Sequence, residues 1–536
     1  MRRFADLLDR LTLTPSRNGK LRLIEAYLAA TPDPDRGFGL AAITRDLRFD
    51  TVKPAMLRAL VAERVDAELF ALSHDFVGDL AETVALIWPA PPCPGADPGL
   101  GEVVARLRAT SRREAPRLVA ALLDQFDASG RFALLKLVTG GLRVGVSARL
   151  GKQALADFGG REVAEIEEIW HDQAPPYAAL FDWLAGRAAR PGGGGATLGF
   201  RPVMLAHPLD PGDLTALDPA DFLAEWKWDG IRLQATAGRG GARLYSRTGD
   251  DVASAFPDIA AALDFDGTLD GELLVALPGG LGEGVASFAD LQRRLNRKTV
   301  APREMARYPA FLRLYDLLRD GPEDLRPAPL AERRARLEAF ARRLDPARFD
   351  LSPLIPFADW AELAERRAAP PETVIEGVML KRRDSPYLAG RPKGPWFKWK
   401  REPRLIDAVL MYAQRGHGKR SGYYSDYTFG VWGADGALLP VGKAYFGFTD
   451  EELTRIDAFV RANTTDRFGP VRAVRAEPDH GLVLEVAFEG LNRSGRHKSG
   501  LAMRFPRISR LRWDKPPAEA DRIETLEALL DDGPLV

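Results

Sequence analysis

The chain has 536 residues, 75 Lys and Arg against 75 Asp and Glu, 46% hydrophobic residues and one cysteine. That length accommodates about three or four domains, and the ordinary apolar and charged fractions exclude a largely disordered protein. The single cysteine, Cys93 in the loop Pro91-Pro92-Cys93-Pro94, excludes an internal disulfide framework and a four-cysteine zinc site and points to a reducing cytoplasm.

Met1-Arg2-Arg3 opens like a secretory leader, but Asp6 and Asp9 interrupt it while Phe4, Leu7, Leu8 and Leu11 fall at helical spacing. No apolar run approaches the roughly 18 residues a membrane span requires. Up to about residue 190 the pattern is helical: Leu21, Ile24 and Leu28 repeat at helical spacing, as do Leu118, Ala121, Leu122, Gln125 and Phe126. Turn signals such as Thr31-Pro32-Asp33-Pro34-Asp35 separate the helices. Pro191-Gly192-Gly193-Gly194-Gly195 then reads as a linker over 191–200.

Beyond the linker the pattern is mixed. Ile231, Leu233 and Ala235 alternate with Arg232, Gln234 and Thr236, a strand with one face buried. Gly238 to Gly241 form a turn and Arg243 to Ser246 the returning strand. Helices are expected at about 331–343 and 358–368. From about 405, short strands dominate, at Ala408 to Tyr412, Tyr427 to Trp432 and Leu482 to Phe488, which suits a small barrel. The acidic end, Glu519 to Asp532, reads as a solvated terminal helix.

Fourteen of the 75 cations are lysine and 61 arginine. Lysine can shed its proton and act as a nucleophile, whereas arginine effectively cannot, so the contexts of the retained lysines are informative. Lys227 stands between Trp226 and Trp228, before the turn Asp229-Gly230. Apolar neighbours and nearby cations both disfavour its ammonium form, which is how an amine nucleophile is activated. Asp-Gly is equally a routine hairpin signal, so this fragment alone leaves both readings open.

Further segments tip the balance: Ser246-Arg247-Thr248-Gly249, Asp270-Gly271-Glu272, Glu376-Gly377-Val378-Met379-Leu380-Lys381 and Trp396-Phe397-Lys398-Trp399-Lys400. The last places Lys398 and Lys400 on one strand face. Glu272 and Glu376, beside apolar strands, suit magnesium, and the cations suit a polyphosphate. The set fits phosphoryl transfer from a nucleotide through a lysine adduct. Charge also segregates. Between 391 and 404 six cations face only Glu402, and from Arg493 to Arg512 seven cations meet no carboxylate, so zero net charge hides patches suited to nucleic acid.

In order, KxDGxR (227–232), SRTG (246–249), DGE (270–272), Tyr315-Asp316, EGVMLK (376–381), WFKWK (396–400) and the closing Arg512-Trp513-Asp514-Lys515 resemble the motifs of ATP-dependent DNA ligases, members of the covalent nucleotidyltransferases. Lys136 to Val146, KLVTGGLRVGV, resembles a segment of the helical DNA-binding domain of such enzymes. The resemblance implies a multidomain α+β chain. Its parts are an all-α DNA-binding domain (1–190), an antiparallel-sheet adenylylation domain (201–403) and a C-terminal OB-fold β-barrel with an acidic tail (404–536).

It further implies that Lys227 becomes adenylylated and that Glu225 sits against the adenine, with Arg232 and Arg247 near the ribose or phosphates. Glu272 meets the ribose or a metal, Glu376 is the principal metal carboxylate, and Tyr315, where the family usually has Phe, stacks on the base. Lys398 and Lys400 touch the α-phosphate and Arg391 the phosphate region, while Arg512, Asp514 and Lys515 close over ATP. The implied cofactors are ATP and Mg2+ or Mn2+, the partner is nicked double-stranded DNA, and the expected form is a cytoplasmic monomer serving repair, replication or recombination. An RNA ligase or a capping guanylyltransferase shares the lysine chemistry but not the helical extension or the RFPR segment (504–507). An NAD-dependent ligase needs a cysteine zinc module that one cysteine does not build. A catalytically silent DNA-binding scaffold is the reading from a different class; it predicts nick binding without ATP-dependent sealing.

Overall fold

The computed structural model describes residues 1–530 except 50, 78, 90–96, 141, 143, 193–197, 211, 296, 298, 417–421 and 496. Cys93, the glycines 193–195, Arg143, Arg496, His417 and the last acidic residues, Asp531 and Asp532, therefore lie outside the described residues. The chain divides into two compact units. One comprises Met1–Val163, Ala174–Ala188 and Pro403–Val536, and the other Ala164–Gln173 and Ala189–Glu402.

The N-terminal region is all α-helical, from Arg2–Leu13 to Ala178–Leu184. The first helix buries Phe4, Leu7, Leu8 and Leu11, as the spacing predicts. The second, Arg17–Ala30, starts at Ser16, whose side chain accepts from the Gly19 amide, and buries Leu21, Ile24 and Leu28. The stripe proposed at 118–126 is wrong by a rotation. The helix is Ala115–Leu123, its buried face is Ala115, Val119, Ala120, Leu122 and Leu123, and Ala121 is exposed. Seven apolar residues in nine permit more than one stripe, and packing selects the one that is covered. Among the described residues no helix is long and apolar enough to cross a membrane.

Two sheets build the second unit. The first runs β1 (His207–Pro208), β11 (Trp396–Lys400), β10 (Ile375–Arg382), β2 (Phe222–Trp228), β9 (Leu354–Ile355). The other runs β4 (Gly241–Ser246), β3 (Ile231–Gly238), β5 (Gly267–Val275), β6 (Ala310–Asp320), β7 (Glu323–Asp324), with β8 (Phe349–Leu351) parallel to β6. Helices Leu330–Ala341 and Trp360–Ala368 fall where expected. Period-two alternation puts Leu233, Ala235 and Ala237 into a core with Leu269, Leu273, Leu312 and Leu314. The opposite face of the same strands is left for polar groups. β2 passes to β3 through Asp229-Gly230, where a side chain on Gly230 would meet the Leu273 carbonyl and the Leu274 side chain.

β6 is fastened by an ion pair inside the unit. Asp316 and Arg333 are both fully buried, and Arg333 Nε and Nη2 donate to the two carboxylate oxygens at 2.8 and 2.9 Å. Arg333 Nη1 donates to the Ala328 and Ser385 carbonyls.

The C-terminal part is β-rich. Its sheet runs β14 (Leu438–Ala444), β13 (Tyr424–Trp432), β12 (Arg404–Arg415), β16 (Val471–Val474), β15 (Thr464–Phe468). β17 (Val483–Phe488) joins β12 to β20 (Arg507–Arg512), and β18 (Gly490–Arg493) pairs with β19 (Leu501–Arg504). The pairings among the described residues branch and do not form a ring, so this part is a β-rich domain in which a closed barrel is not seen. The terminal helix is short, Ile523–Ala528, and is not simply solvated, because Ile523 and Leu526 are buried in the domain core.

Asp316→Ala strands the Arg333 guanidinium in the interior. It is expected to destabilise this unit by about 3–5 kcal/mol, whereas replacing both partners with apolar residues of similar volume costs far less. Chemical unfolding of the two variants against the parent chain measures the difference.

Candidate nucleotide-transfer site

The register of the first sheet assembles the site. Lys227 on β2 lies opposite Gly377 on β10, and β10 pairs onward with β11 so that Met379 faces Lys398 and Gly377 faces Lys400. A register shift between Ile375 and Gly377 moves Glu376 out of the regular pairing. Gly377 has φ +150°, and a side chain there would strike the Trp399 carbonyl, so the shift requires glycine. The result is a direct ion pair between Lys227 Nζ and Glu376 Oε2, with Lys400 Nζ 3.9 Å from the same oxygen.

This geometry reverses one expectation. Burial alone would favour the neutral amine, but Glu376, followed by Glu272 and Asp229, outweighs it and holds Lys227 above its ordinary range. Lys227 is therefore an ammonium in the resting protein. The tryptophans and cations adjacent in sequence suggested the opposite because the decisive carboxylates come from other strands. Glu376 is correspondingly held down by Lys227 and Lys400 against the effect of burial. Burial pushes Glu272 up to about 8, Glu376 and Asp270 adding to the rise while Lys227 and Arg232 oppose it.

The second sheet supplies the adjoining wall. Arg232 lies opposite Glu272 across β3 and β5. Its guanidinium forks onto Asp270 at 3.1 and 2.6 Å and donates to the Tyr387 hydroxyl at 2.9 Å and the Met204 carbonyl at 2.6 Å. Tyr387 in turn donates to Asp270 at 2.6 Å. Glu225, buried, accepts from Lys381 at 3.1 Å on each oxygen, and Arg334 stands 3.9 Å away. Tyr315, partly exposed, meets the Lys381 ammonium 4.4 Å from its ring centroid and the Arg232 guanidinium at 5.6 Å. Sequence reading assigned no role to Asp270, Tyr387 or Arg334. Asp270 was visible inside the DGE motif, but Tyr387 and Arg334 lie in unremarkable stretches and are recruited only by the fold.

A crowd of cations completes the site. Burial, then Lys400, Arg391, Lys227 and Arg247 in turn, push the Lys398 ammonium below its ordinary range. Burial and the neighbouring Arg232 and Arg391 likewise lower Arg247. Like charges held this close disfavour one another and favour an anion among them. The structure thus gathers Lys227, Glu225, Arg232, Arg247, Glu272, Tyr315, Glu376, Arg391, Lys398 and Lys400 within one unit. Arg512, Asp514 and Lys515 belong to the other unit, where Asp407 on β12 accepts from Arg512 at 3.1 Å and from Lys515 at 2.7 Å, and Asp514 accepts from Arg512 at 2.9 Å.

No cluster of three or more His, Cys, Asp or Glu fit for a metal occurs among the described residues. Glu272 and Glu376 offer two carboxylates, enough for a hard divalent ion that takes its other ligands from water and phosphate oxygens.

Residues 203–400 match the sequence model of the ATP dependent DNA ligase domain, and residues 420–515 that of the ATP dependent DNA ligase C terminal region. The chain is 35% identical over 443 residues to a probable DNA ligase of Koribacter versatilis, covering 77% of this chain and 74% of that one. It is 31% identical to a probable DNA ligase of Anaeromyxobacter dehalogenans over 544 residues, 98% of each. Among solved structures, the one named Pmar-Lig_PreS3 superposes with a TM-score of 0.59 over 95% of this chain and 99% of that chain, at 16% identity, a likeness of fold.

Glu272→Gln tests the electrostatic reading without turnover. The native carboxyl keeps its proton up to about pH 8, whereas the unfolded carboxyl loses it near 4.3. The native state therefore binds the extra proton between those values, and stability falls as pH rises through them. The glutamine variant mimics the neutral form, so its gain in thermal midpoint over the parent is expected to be larger at pH 8 than at pH 5.

Proposed function

The chain belongs to the ATP-dependent DNA ligase family, and on that premise we propose that it seals nicks in duplex DNA through a Lys227–AMP intermediate. The observation that carries the proposal is the placing of Lys227 against Glu376 and beside the crowded cations Lys398, Lys400, Arg391 and Arg247. A nucleophile, its counter-charge and a receptor for phosphate occupy one surface.

In the first step Lys227 releases its ammonium proton to water, and the neutral amine attacks the α-phosphorus of ATP, its nitrogen giving a second proton to water as the N–P bond forms. The bond to the β-phosphate oxygen breaks and pyrophosphate leaves. Lys398 and Lys400 receive the charge that develops on the α-phosphate, and an arriving anion relieves the mutual repulsion that depresses Lys398. Glu225, fixed by Lys381, faces the adenine edge, Tyr315 stacks on the ring, and Arg232 and Arg247 hold the ribose and phosphates. Arg512, Asp514 and Lys515 close over the nucleotide. In the second step an oxygen of the 5′-phosphate at the nick takes AMP from Lys227, and the nitrogen regains its proton. In the third, the 3′-hydroxyl attacks that 5′-phosphate, the strand closes and AMP departs.

Glu376 and Glu272 are the residues that would hold Mg2+ or Mn2+, which supplies Lewis-acid charge neutralisation on the phosphates when bound. We also assign residues 1–190 to DNA binding, 191–200 to a linker, 201–403 to adenylylation and 404–536 to the C-terminal domain. The acting form is a cytoplasmic monomer engaging nicked double-stranded DNA in repair, replication or recombination. A silent scaffold is disfavoured by the retention of Lys227 with both carboxylates.

Lys227→Ala is expected to abolish transfer of label from α-labelled ATP to the protein; full labelling of that variant would sink the assignment. Lys227 resting as an ammonium above its ordinary range also fixes the sign of the pH dependence. The neutral fraction grows about tenfold per pH unit below the pKa, so the rate of lysyl-AMP formation at saturating nucleotide is expected to climb from pH 6.5 to 9. A plateau near pH 7 would contradict it.

A further inference from the structure

One piece of the helical N-terminal region divides with the nucleotide-binding unit. Residues Ala164–Gln173 belong to it, although the chain before them and Ala174–Ala188 after them do not. Two side chains fasten this piece. Glu168 accepts from Arg326 at 2.6 Å and from Arg190 at 2.9 Å, and these contacts hold its carboxyl below the ordinary range against burial. His171 closes a ring triad with Phe200 and Tyr245. Its centroid is 5.5 Å from Phe200 at 84° and 5.7 Å from Tyr245, and the latter two rings are 5.7 Å apart.

Tyr245 is the residue before Ser246, where the chain enters the turn that carries Arg247. That turn is tightly self-bonded. The Gly249 amide donates to the Ser246 carbonyl at 2.8 Å, the Ser246 amide donates to the Asp250 carbonyl at 2.8 Å, and the Thr248 hydroxyl donates to Asp250 at 2.6 Å. Gly249 has φ +87°, and any side chain on it would run into His171 Nε2. The imidazole therefore lies flush against the backbone of the turn, on a residue that conformation and space both restrict to glycine. The tip of the turn, Arg247, is exposed, and its guanidinium stands within electrostatic reach of Arg232, Arg391 and Glu272.

We propose that His171 is a positioning residue for Arg247: packed against Tyr245 and Gly249, it fixes the turn so that the guanidinium meets the nucleotide. The inference rests on the assignment of Arg247 to ATP made above. A ten-residue piece from the helical region thereby sets nucleotide affinity, although it contributes no group to the reaction.

The test is a double-mutant cycle in the full chain, with KM for ATP and kcat measured separately for lysyl-AMP formation. Arg247→Ala and His171→Ala are each expected to raise KM, and for His171→Ala the rise is about three- to tenfold with kcat within about twofold of the parent. The double variant is expected to be no worse than Arg247→Ala alone, because a misplaced turn matters only through the guanidinium it carries. Multiplying effects, or an unchanged KM for His171→Ala, overturn the proposal. An unchanged KM for Arg247→Ala overturns it as well, and withdraws Arg247 from the nucleotide, while label transfer to Lys227 still reports on the function itself. If His171→Ala lacks a cooperative melt, His171→Gln, which keeps a polar side chain of similar size, is carried through the same cycle.

Discussion

Lys227 and Glu376 neutralise each other where β2 and β10 run side by side, and the roles of the surrounding charges follow from that contact. A buried amine without a carboxylate would shed its proton, and a carboxylate there without a cation would take one up. Together both stay charged, and the amine rests in its protonated form. The pair depends on a backbone irregularity at Gly377 that no other residue accommodates without displacing β11. Chemistry here is thus tied to a detail of strand register.

Around this pair the charges fall into two kinds. Some are locked by buried partners: Glu225 by Lys381, Arg232 by Asp270 and Tyr387, Asp316 by Arg333. These pairs fix side chains and sheets, and their strength comes from geometry that satisfies both partners. Others, Lys398 and Arg247 foremost, are lowered by burial and further by the like charges crowded around them. The locked groups hold side chains and strands in place, and the crowded groups favour negative charge among them. A chain with equal numbers of cations and anions can therefore be strongly polarised at one surface.

Much of this was legible in the amino-acid order. The first helix, the Ile231–Ala235 alternation and the helices at 331–343 and 358–368 rest on local periodicity, and each emerges close to where that periodicity puts it. Six of the seven ordered motifs pointed to residues that the fold brings into one unit, and the closing Arg512–Lys515 motif lies in the other. What stayed hidden was set by partners distant in sequence. The charge state of Lys227 depends on Glu376 and Glu272, and the role of Tyr387 appears only when β5 and the loop after β10 meet. Helix Ala115–Leu123 offered several apolar stripes, and its neighbours chose. In the terminal helix the acidic residues masked the two apolar side chains, Ile523 and Leu526, that dock it.

The separation of Lys227 from Glu376 is 149 residues, and that of Glu225 from Lys381 is 156. On a ribosome that delivers about 5–20 residues per second, β2 therefore waits for many seconds before β10 and β11 exist to flank it. During that interval its apolar face and open edges resemble an unpaired strand, the kind of surface that invites association with other chains. The sheet that carries Lys227 is completed near the end of its unit's synthesis, so a product truncated before β10 contains Lys227 without Glu376, the carboxylate that acts on it most. The Lys227–Glu376 pair and completion of this unit arrive together, as a property of strand order.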